Sequence, residues 1–157
     1  MALKNGYYNR GAGPSFVPAY QISGVPFVTS SNGNELTDTV QKILFPYATR
    51  FFQITNTGNA AMRIGFSENG VIGQGGSVSG SAYEKSSPAR CLNYLVLSGS
   101  GTNSVASTVR LEIRCKEIFL RRDGATNTGF SLIAGLTGVE SSQFPILTGS
   151  QGFSGVG

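Results

Sequence analysis

The sequence contains no histidine and no tryptophan, and charged side chains make up only 13% of its 157 residues. The absence of histidine excludes Ser-His-Asp and Cys-His nucleophile systems in their usual form. It also removes histidine-ligated zinc, haem and non-haem iron sites, including the metal site of the cupins, and any histidine pH switch. The absence of tryptophan argues against an antibody-type sandwich. We therefore expect no enzyme, with no catalytic residues, no cofactor and no metal site.

Cysteine is also scarce, since Cys91 and Cys115 are the only two in the chain. Two cysteines do not make a disulfide framework. Cys115 continues the apolar series Val109, Leu111 and Ile113, so we expect it to be buried as a small hydrophobe; a bridge to Cys91 stays open if their strands pair. The sequence shows no signal segment and no apolar run long enough to span a bilayer. These features predict a protein kept in a reducing compartment.

The charge pattern gives no sign of a nucleic-acid partner. The net charge is +4, from 12 basic and 8 acidic residues, and only Arg121 and Arg122 are adjacent basic residues. Proteins that bind nucleic acid usually present a concentrated basic stripe. We therefore expect no direct contact with nucleic acid, no small-molecule substrate and no membrane contact. The last 34 residues carry a single charge, Glu140, which suits a segment lying against another protein.

Alternating apolar and polar residues predict β-strands along most of the chain, and no segment predicts a helix. Phe52 and Ile54, for example, share one face of the run at residues 50–55. About eight such runs, separated by turns rich in Gly, Pro and Asn, are typical of an antiparallel sandwich or barrel. Loops of uneven length favour an eight-stranded jelly roll. The predicted strands are residues 16–22, 25–29, 39–45, 50–55, 61–67, 92–97, 105–122 with a bend after Glu117, and 130–136.

The chain is expected to form one domain with two arms. Residues 1–14 read as an N-terminal arm, residues 15–137 as the jelly-roll domain, and residues 138–157 as a Gly/Ser-rich C-terminal arm. Residues 92–97 and 105–115 are predicted to be core strands, whereas residues 68–90 are predicted to form a long irregular loop. The alternation at residues 61–67 predicts that Met62, Ile64 and Phe66 face inward. It predicts that Arg63, Gly65 and Ser67 face outward.

Four patterns that could indicate chemistry are better explained without it. Residues 73–77, Gly-Gln-Gly-Gly-Ser, lack the lysine and the following helix of a phosphate loop. Glu68-Asn69-Gly70 offers too few oxygen ligands for calcium and is typical of a turn. Glu112 and Glu117 are spaced to lie on opposite strand faces, so we expect ion pairs with Arg110, Arg114 or Lys116 and no paired-carboxylate site. The six tyrosines are too dispersed to predict a sugar-stacking platform, so interface or core positions are expected for them.

Several stretches nevertheless resemble a known family. They are Phe45-Pro46-Tyr47, Arg50-Phe51-Phe52-Gln53-Ile54-Thr55-Asn56-Thr57-Gly58, Ala61-Met62-Arg63-Ile64-Gly65-Phe66-Ser67-Glu68-Asn69-Gly70-Val71, Glu117-Ile118-Phe119-Leu120-Arg121 and Phe130-Ser131-Leu132-Ile133-Ala134-Gly135-Leu136-Thr137. Over residues 44–139 the chain is similar to small single-jelly-roll minor capsid proteins of large icosahedral DNA viruses, of the algal-virus (phycodnavirus) type. No functional residue is carried over, because the role of that family rests on surfaces.

The resemblance implies a structural protein of the virion capsid, synthesised in the host cytoplasm. It implies the penton, a homopentamer that closes each five-fold vertex of the icosahedral shell and contacts neighbouring major and minor capsid proteins. In this interpretation residues 1–14 and 138–157 are inter-subunit arms, and residues 68–90 project outward or line the vertex. The alternative from a different class is a β-sandwich binding module, such as a lectin or the receptor-binding domain of a viral spike or fibre.

Overall fold

The computed structural model describes residues 24–32, 35–72, 93–101, 106–144 and 156. Within these residues the chain forms eight β-strands, one short α-helix and one 3-10 turn. The strands are β1 Val25–Ser30, β2 Gln41–Leu44, β3 Tyr47–Asn56, β4 Met62–Gly65, β5 Tyr94–Leu97, β6 Thr108–Leu111, β7 Glu117–Arg122 and β8 Phe130–Glu140; the helix is α1 Glu68–Ile72, and the 3-10 turn is Ser141–Gln143. The predicted arm at residues 1–14 and the predicted strand at residues 16–22 lie outside the described residues.

The strands are arranged as a jelly roll, as the sequence predicts. One four-stranded sheet has the order β1-β8-β3-β6 and the other the order β2-β7-β4-β5. The first strand pairs with the last, the second with the seventh, the third with the sixth and the fourth with the fifth, all antiparallel. The strands thus form one long hairpin that is rolled up, and the β3–β8 and β4–β7 pairs close the roll. An eight-stranded sandwich wound in this way is a jelly roll.

The connections between strands set which strands lie opposite each other. Residues 31–40, 57–61, 98–107 and 123–129 each join a strand of one sheet to a strand of the other. We infer that β1 lies over β2, β8 over β7, β3 over β4 and β6 over β5. Among the described residues no further strand pairs with β1, β2, β5 or β6, and the two sides that these edge strands form are called here the β1/β2 side and the β5/β6 side. These four loops lie at the same end of the sandwich, called here the four-loop end. There the β1–β2 loop and the β7–β8 loop are joined by backbone hydrogen bonds between Leu36 and Thr128.

The core fills the space between the sheets and follows the period-two pattern of the sequence. Phe52 and Ile54 of β3 are buried, as are Met62 and Ile64 of β4, so their predicted inward faces are confirmed. Fully burying a side chain of this size contributes about 1.5–3 kcal/mol. The remaining large members of the core are Leu36, Phe45, Leu97, Cys115, Ile118, Leu120, Phe130, Leu132 and Leu136.

The prediction that residues 92–97 and 105–115 are core strands is wrong in part: Leu97 and Cys115 belong to the core, and Val109 and Leu111 pack against it, but most of the other described residues are half-buried or exposed. In the described residues they contribute β5 and β6, and each of these strands lies at the edge of its sheet. A continuous apolar run predicts a strand but does not reveal whether both of its neighbours are strands. The predicted strand at residues 25–29, where Pro26 favours an edge position, is confirmed as the edge strand β1.

The expectation of no helix is also wrong, because the first five residues of the predicted irregular loop form α1. The helix lies on the outer face of the second sheet, where a Cβ on Gly65 would stand 2.4 Å from Val71 Cγ2. Gly65 and Ser67, predicted to face outward, are therefore covered and buried. The rest of the predicted loop, residues 73–90, lies outside the described residues.

Two strand boundaries also differ from the predicted ones. The run at residues 105–122 is interrupted at residues 112–116, before Glu117 instead of after it. β8 continues to Glu140, so it includes the first three residues of the segment assigned to the C-terminal arm. Just before this extension, the Thr137 hydroxyl donates to the Ala48 carbonyl at 2.8 Å, which joins β8 to β3.

Candidate assembly surfaces

One buried polar side chain fastens the four-loop end of the sandwich. Asn56, at the end of β3, is fully buried and makes four hydrogen bonds. Its amide nitrogen donates to the carbonyls of Ala60 at 2.8 Å and Leu97 at 3.1 Å. Its oxygen accepts from the Gly58 N–H at 3.0 Å and the Thr128 hydroxyl at 2.8 Å. The sequence Asn56-Thr57-Gly58-Asn59 suits a hairpin loop, but this loop joins the two sheets, and Asn56 holds it in place.

A group of arginines on the outer face of the second sheet holds α1. Arg63 Nη1 donates to the carbonyls of Val71 and Ile72, at 3.3 and 3.2 Å. Arg121 Nη1 donates to the Ile72 carbonyl at 3.1 Å. Arg63 also pairs with Asp123 at 2.7 Å, and Arg121 pairs with Asp38. Since carbonyls at a helix C-terminus lack helical partners, these guanidinium groups stabilise α1 and act as structural cations.

The two glutamates weighed as a carboxylate pair are both held in ion pairs. Glu112 pairs with Arg110 at 2.7 Å, which confirms the expected ion pair. Glu117 is buried and pairs with Lys42 at 2.7 Å, so its predicted partners are wrong. The antiparallel β2–β7 pairing brings Lys42 within diagonal reach of Glu117. A partner on a strand more than 70 residues away cannot be found from local spacing.

Cys115 is a free, buried thiol, as its position in the apolar series predicts. Burial raises the pKa of the Cys115 thiol from 9.0 to about 11, and the hydrogen bond with Thr49 opposes that rise. The Thr49 hydroxyl also donates to the Ile113 carbonyl at 2.8 Å. Because the thiolate is the nucleophilic form, this environment suppresses the reactivity of Cys115. Cys91 lies outside the described residues.

The other sequence patterns form no site among the residues that the structure describes. The Gly-rich residues 73–77, together with Tyr7, Tyr8, Tyr20 and Tyr83, lie outside the described residues. Tyr47 and Tyr94 are on different sheets. Within the described ranges, acidic and cysteine side chains form no cluster of three or more that could hold a metal ion. Glu68-Asn69-Gly70 forms the first turn of α1. In the described part of the chain, no helix is long and apolar enough to span a membrane.

A shallow groove of about 310 Å³ lies on the outer face of the first sheet. The Phe51 ring forms part of its wall. The Arg110 guanidinium lies over one face of this ring, 3.9 Å from the centroid, and a Cβ on Gly135 would stand 2.5 Å from ring atom Cε1. The Arg110 contact occupies a ring face on which a sugar could otherwise stack. The groove is lined by Gly24, Pro26, Arg50, Phe51, Ile133, Ala134 and Gly135.

Most of the exposed large apolar side chains in the described residues lie on edge strands. Val28, Leu44 and Val96 follow or precede the core-facing Phe27, Ile43 and Leu97, so they point from the outer faces of the sheets. At the β1/β2 side, Val25, Val28 and Leu44 are 62–68% exposed. On β5, Leu95 and Val96 are 46% and 49% exposed, and Ile113, in the segment between β6 and β7, is 37% exposed. Of the large apolar residues exposed in the described ranges, the other two are Tyr47 and Ile133. Contiguous exposed apolar surface marks interaction sites, and uncharged edge strands are especially prone to pairing.

The end of the chain lies against the start of α1. The Ser67 hydroxyl donates to the Val156 carbonyl and accepts from the Gly70 N–H at 2.9 Å. A Cβ on Gly70 would stand 2.6 Å from the Val156 carbonyl oxygen and 3.0 Å from the Asn93 carbonyl oxygen. Glycine is therefore required at position 70 for Val156 to dock. The sequence predicts a turn at Asn69-Gly70. It does not indicate that Val156 packs against Gly70, because Val156 lies 86 residues away in the chain.

Comparison of the chain with protein-family models, with curated proteins and with solved structures gave no match.

Proposed function

We propose that the protein is a single-jelly-roll subunit of an icosahedral viral capsid, and that it forms the penton at the five-fold vertices. In this proposal the protein resides in the virion after synthesis in the host cytoplasm. It associates with itself as a homopentamer and contacts the neighbouring major and minor capsid proteins. The sequence resemblance over residues 44–139 supports this proposal.

The observation that carries the proposal is exposed apolar surface on edge strands at both sides of a jelly roll. A subunit of a closed ring needs two different surfaces, because each heterologous contact joins one surface to another on the next copy. The β1/β2 side, with Val25, Val28 and Leu44, and the β5/β6 side, with Leu95 and Val96, supply two such surfaces. A jelly roll with one apolar patch would support a dimer instead.

The mass of the purified protein in solution tests the proposal. Light scattering across a range of concentrations should give a particle of five subunits, and electron microscopy of the same sample should show closed rings. A trimer would overturn the penton assignment and favour a spike or receptor-binding domain, for which a glycan array would be the next measurement. A monomer at every concentration would contradict a self-associating ring.

A further inference from the structure

We propose that residues 16–22 of this chain, the uncharged strand predicted before β1, pack on the groove and the adjoining apolar patch of the first sheet's outer face. These seven residues lie outside the described residues. The inference goes beyond the proposed function, because it concerns a contact within one copy of the chain. It holds whether or not the protein forms a ring.

The outer face of the first sheet carries an apolar patch that crosses three strands. Val28 of β1 is directly paired with Ile133 of β8, and the two side chains are 68% and 43% exposed. In the next row, the exposed Pro26 pairs with Gly135, which pairs in turn with Phe51 of β3. The groove of about 310 Å³ lies at this second row. Together the two rows form one continuous apolar surface, of the kind that marks an interaction site.

The described part of the chain begins at this groove. Gly24 is the first described residue and lines the groove, and a Cβ on Gly24 would overlap the Leu136 carbonyl of β8. Only Ser23 therefore separates residues 16–22 from the rim of the groove. Seven extended residues reach about 23 Å, whereas four strands about 4.8 Å apart span about 14 Å. The segment is long enough to cross the whole face.

The segment and the patch match in chemistry. Residues 16–22 read Phe-Val-Pro-Ala-Tyr-Gln-Ile, and residues 11–34 contain no charged side chain. Arg110, beside the patch, is already paired with Glu112. Arg50 lines the groove but is exposed, so its guanidinium can stay in water beside a docked segment. The contact therefore buries apolar surface without burying an unpaired charge.

Tethering favours this segment over any separate molecule. A segment joined to its site by a short linker has an effective concentration in the millimolar range. A separate ligand, or a second copy of the chain, has to compete with that concentration. The groove is also at the small end of the range of about 300–1,000 Å³ that pockets for separate ligands occupy. An affinity too weak to hold a free peptide is thus sufficient for residues 16–22.

Cross-linking within the chain tests the contact. The full-length protein with Ile22→Cys and Ile133→Cys, in a Cys91→Ser background, is treated with a short bismaleimide. It should stay monomeric on a denaturing gel, and trypsin should release peptides 11–42 and 123–157 joined to each other.

The matched control replaces the Ile133→Cys substitution by Val96→Cys. Val96 is 49% exposed, close to the 43% of Ile133, but it lies on the outer face of the second sheet. The control should give little or no link to peptide 11–42. Cys115 is buried and keeps its proton at neutral pH, so it does not compete for the reagent in either protein.

The absence of tryptophan allows a second test without a reagent. Tyr20→Trp introduces the single indole of the chain, and docking should shift its emission to a shorter wavelength than that of an indole in water. Adding Ile133→Lys should shift the emission back to a longer wavelength, because it places an ammonium group under the segment. Adding Val96→Lys should leave the emission unchanged. Cooperative urea unfolding of both lysine variants would show that neither effect comes from loss of the fold.

The outcomes separate this inference from the proposed function. Equal cross-linking of the Ile133 and Val96 pairs would overturn the docking, and so would an indole emission that Ile133→Lys leaves unchanged. Covalent dimers from the Ile22/Ile133 pair would place the segment on a second copy and overturn the contact within the chain. The ring is decided by light scattering of the unmodified protein, so either proposal can fail while the other stands.

Discussion

Individual buried polar residues hold this fold together through partners from distant parts of the chain. Asn56 joins the loop after β3 to Leu97 at the end of β5 and to Thr128 before β8. Thr49 joins β3 to the segment that precedes β7, through its hydrogen bonds to Ile113 and Cys115. A buried polar group that loses its partner costs about 1–3 kcal/mol. These residues therefore contribute to stability more than their size suggests.

Replacing Asn56 by alanine should lower the free energy of unfolding by about 3 kcal/mol, because it leaves the Thr128 hydroxyl, the Gly58 N–H and the Leu97 carbonyl without a buried partner. Urea denaturation measures this difference. Asn69→Ala is the control, since Asn69 is exposed and the change should stay within about 0.5 kcal/mol. Similar losses in the two variants would show that the Asn56 hydrogen bonds contribute little.

The raised pKa of Cys115 predicts a loss of stability in alkali. The folded thiol keeps its proton up to about pH 11, whereas the unfolded thiol loses it near its ordinary pKa of 9.0. The folded state therefore binds more protons between these values, and its stability falls as the pH rises through them. Between pH 9 and about 11, the free energy of unfolding of the wild-type protein should fall by about 2 kcal/mol more than that of the Cys115→Ala variant.

Urea denaturation of both proteins at several pH values from neutral to alkaline measures this effect. Cys91 is present in both proteins, so its own titration cancels in the comparison. Parallel pH profiles for the wild-type protein and Cys115→Ala would contradict a buried, protonated thiol.

At the scale of elements, α1 depends on its surroundings and hardly on its own sequence. Its residues Glu-Asn-Gly-Val-Ile include a glycine and two β-branched residues, which are poor helix formers. It is stabilised by Arg63 and Arg121 at its C-terminus and by the close approach to Gly65. The docking of Val156 at Ser67 then covers its N-terminal turn.

Gly70→Ala tests this docking, because alanine improves helix propensity but places a Cβ against the Val156 carbonyl. In the full chain the substitution should destabilise the protein by about 1–2 kcal/mol. In a chain that ends at residue 154 the penalty should shrink by about 1 kcal/mol, since the helix propensity gain is then less opposed. Thermal or urea denaturation of the four proteins measures the cycle.

Gly138→Ala is the matched control for this cycle, because a Cβ there meets nothing within 4 Å. Its effect should be small and independent of the truncation. An equal penalty for Gly70→Ala in the long and short chains would show that Val156 does not occupy the niche.

At the scale of the whole molecule, the sandwich is closed at the four-loop end and open along its two sides. Hydrogen bonds between loops seal the end, such as Ser100 N–H to the Gly58 carbonyl at 3.0 Å. The sides instead expose apolar residues of the edge strands, such as Val28 and Val96. The association proposed above would therefore involve the edge strands.

Self-association through these sides should resist salt. Ionic contacts between exposed groups weaken as the screening length falls from about 10 Å at ~0.1 M to about 3 Å at ~1 M. Since Lys42 and Arg110 already have partners within the chain, added salt should leave the oligomer mass by light scattering unchanged. Dissociation of the oligomer in salt would show that charge pairs between copies carry the contact.

The fold class could be predicted from the sequence because strand periodicity is local. Phe52 and Ile54 alternate with the half-buried Phe51 and Gln53, and the same spacing recurs at Met62 and Ile64, so each segment indicates which face is buried. The edge position of residues 25–29 was also readable, since Pro26 cannot donate a hydrogen bond to a second neighbouring strand.

The tertiary structure alone decided the features that join residues far apart in the chain. The apolar runs that became β5 and β6 carry no local sign that a neighbouring strand is missing. The pairing of Glu117 with Lys42, the burial of Gly65 under α1 and the contact of Gly70 with Val156 each depend on where another segment lies. The sequence by itself thus determined the strands and their buried faces, because these follow from neighbouring residues. The order of strands in the sheets determined which of them became edges and which surfaces stayed open, because that depends on the whole chain.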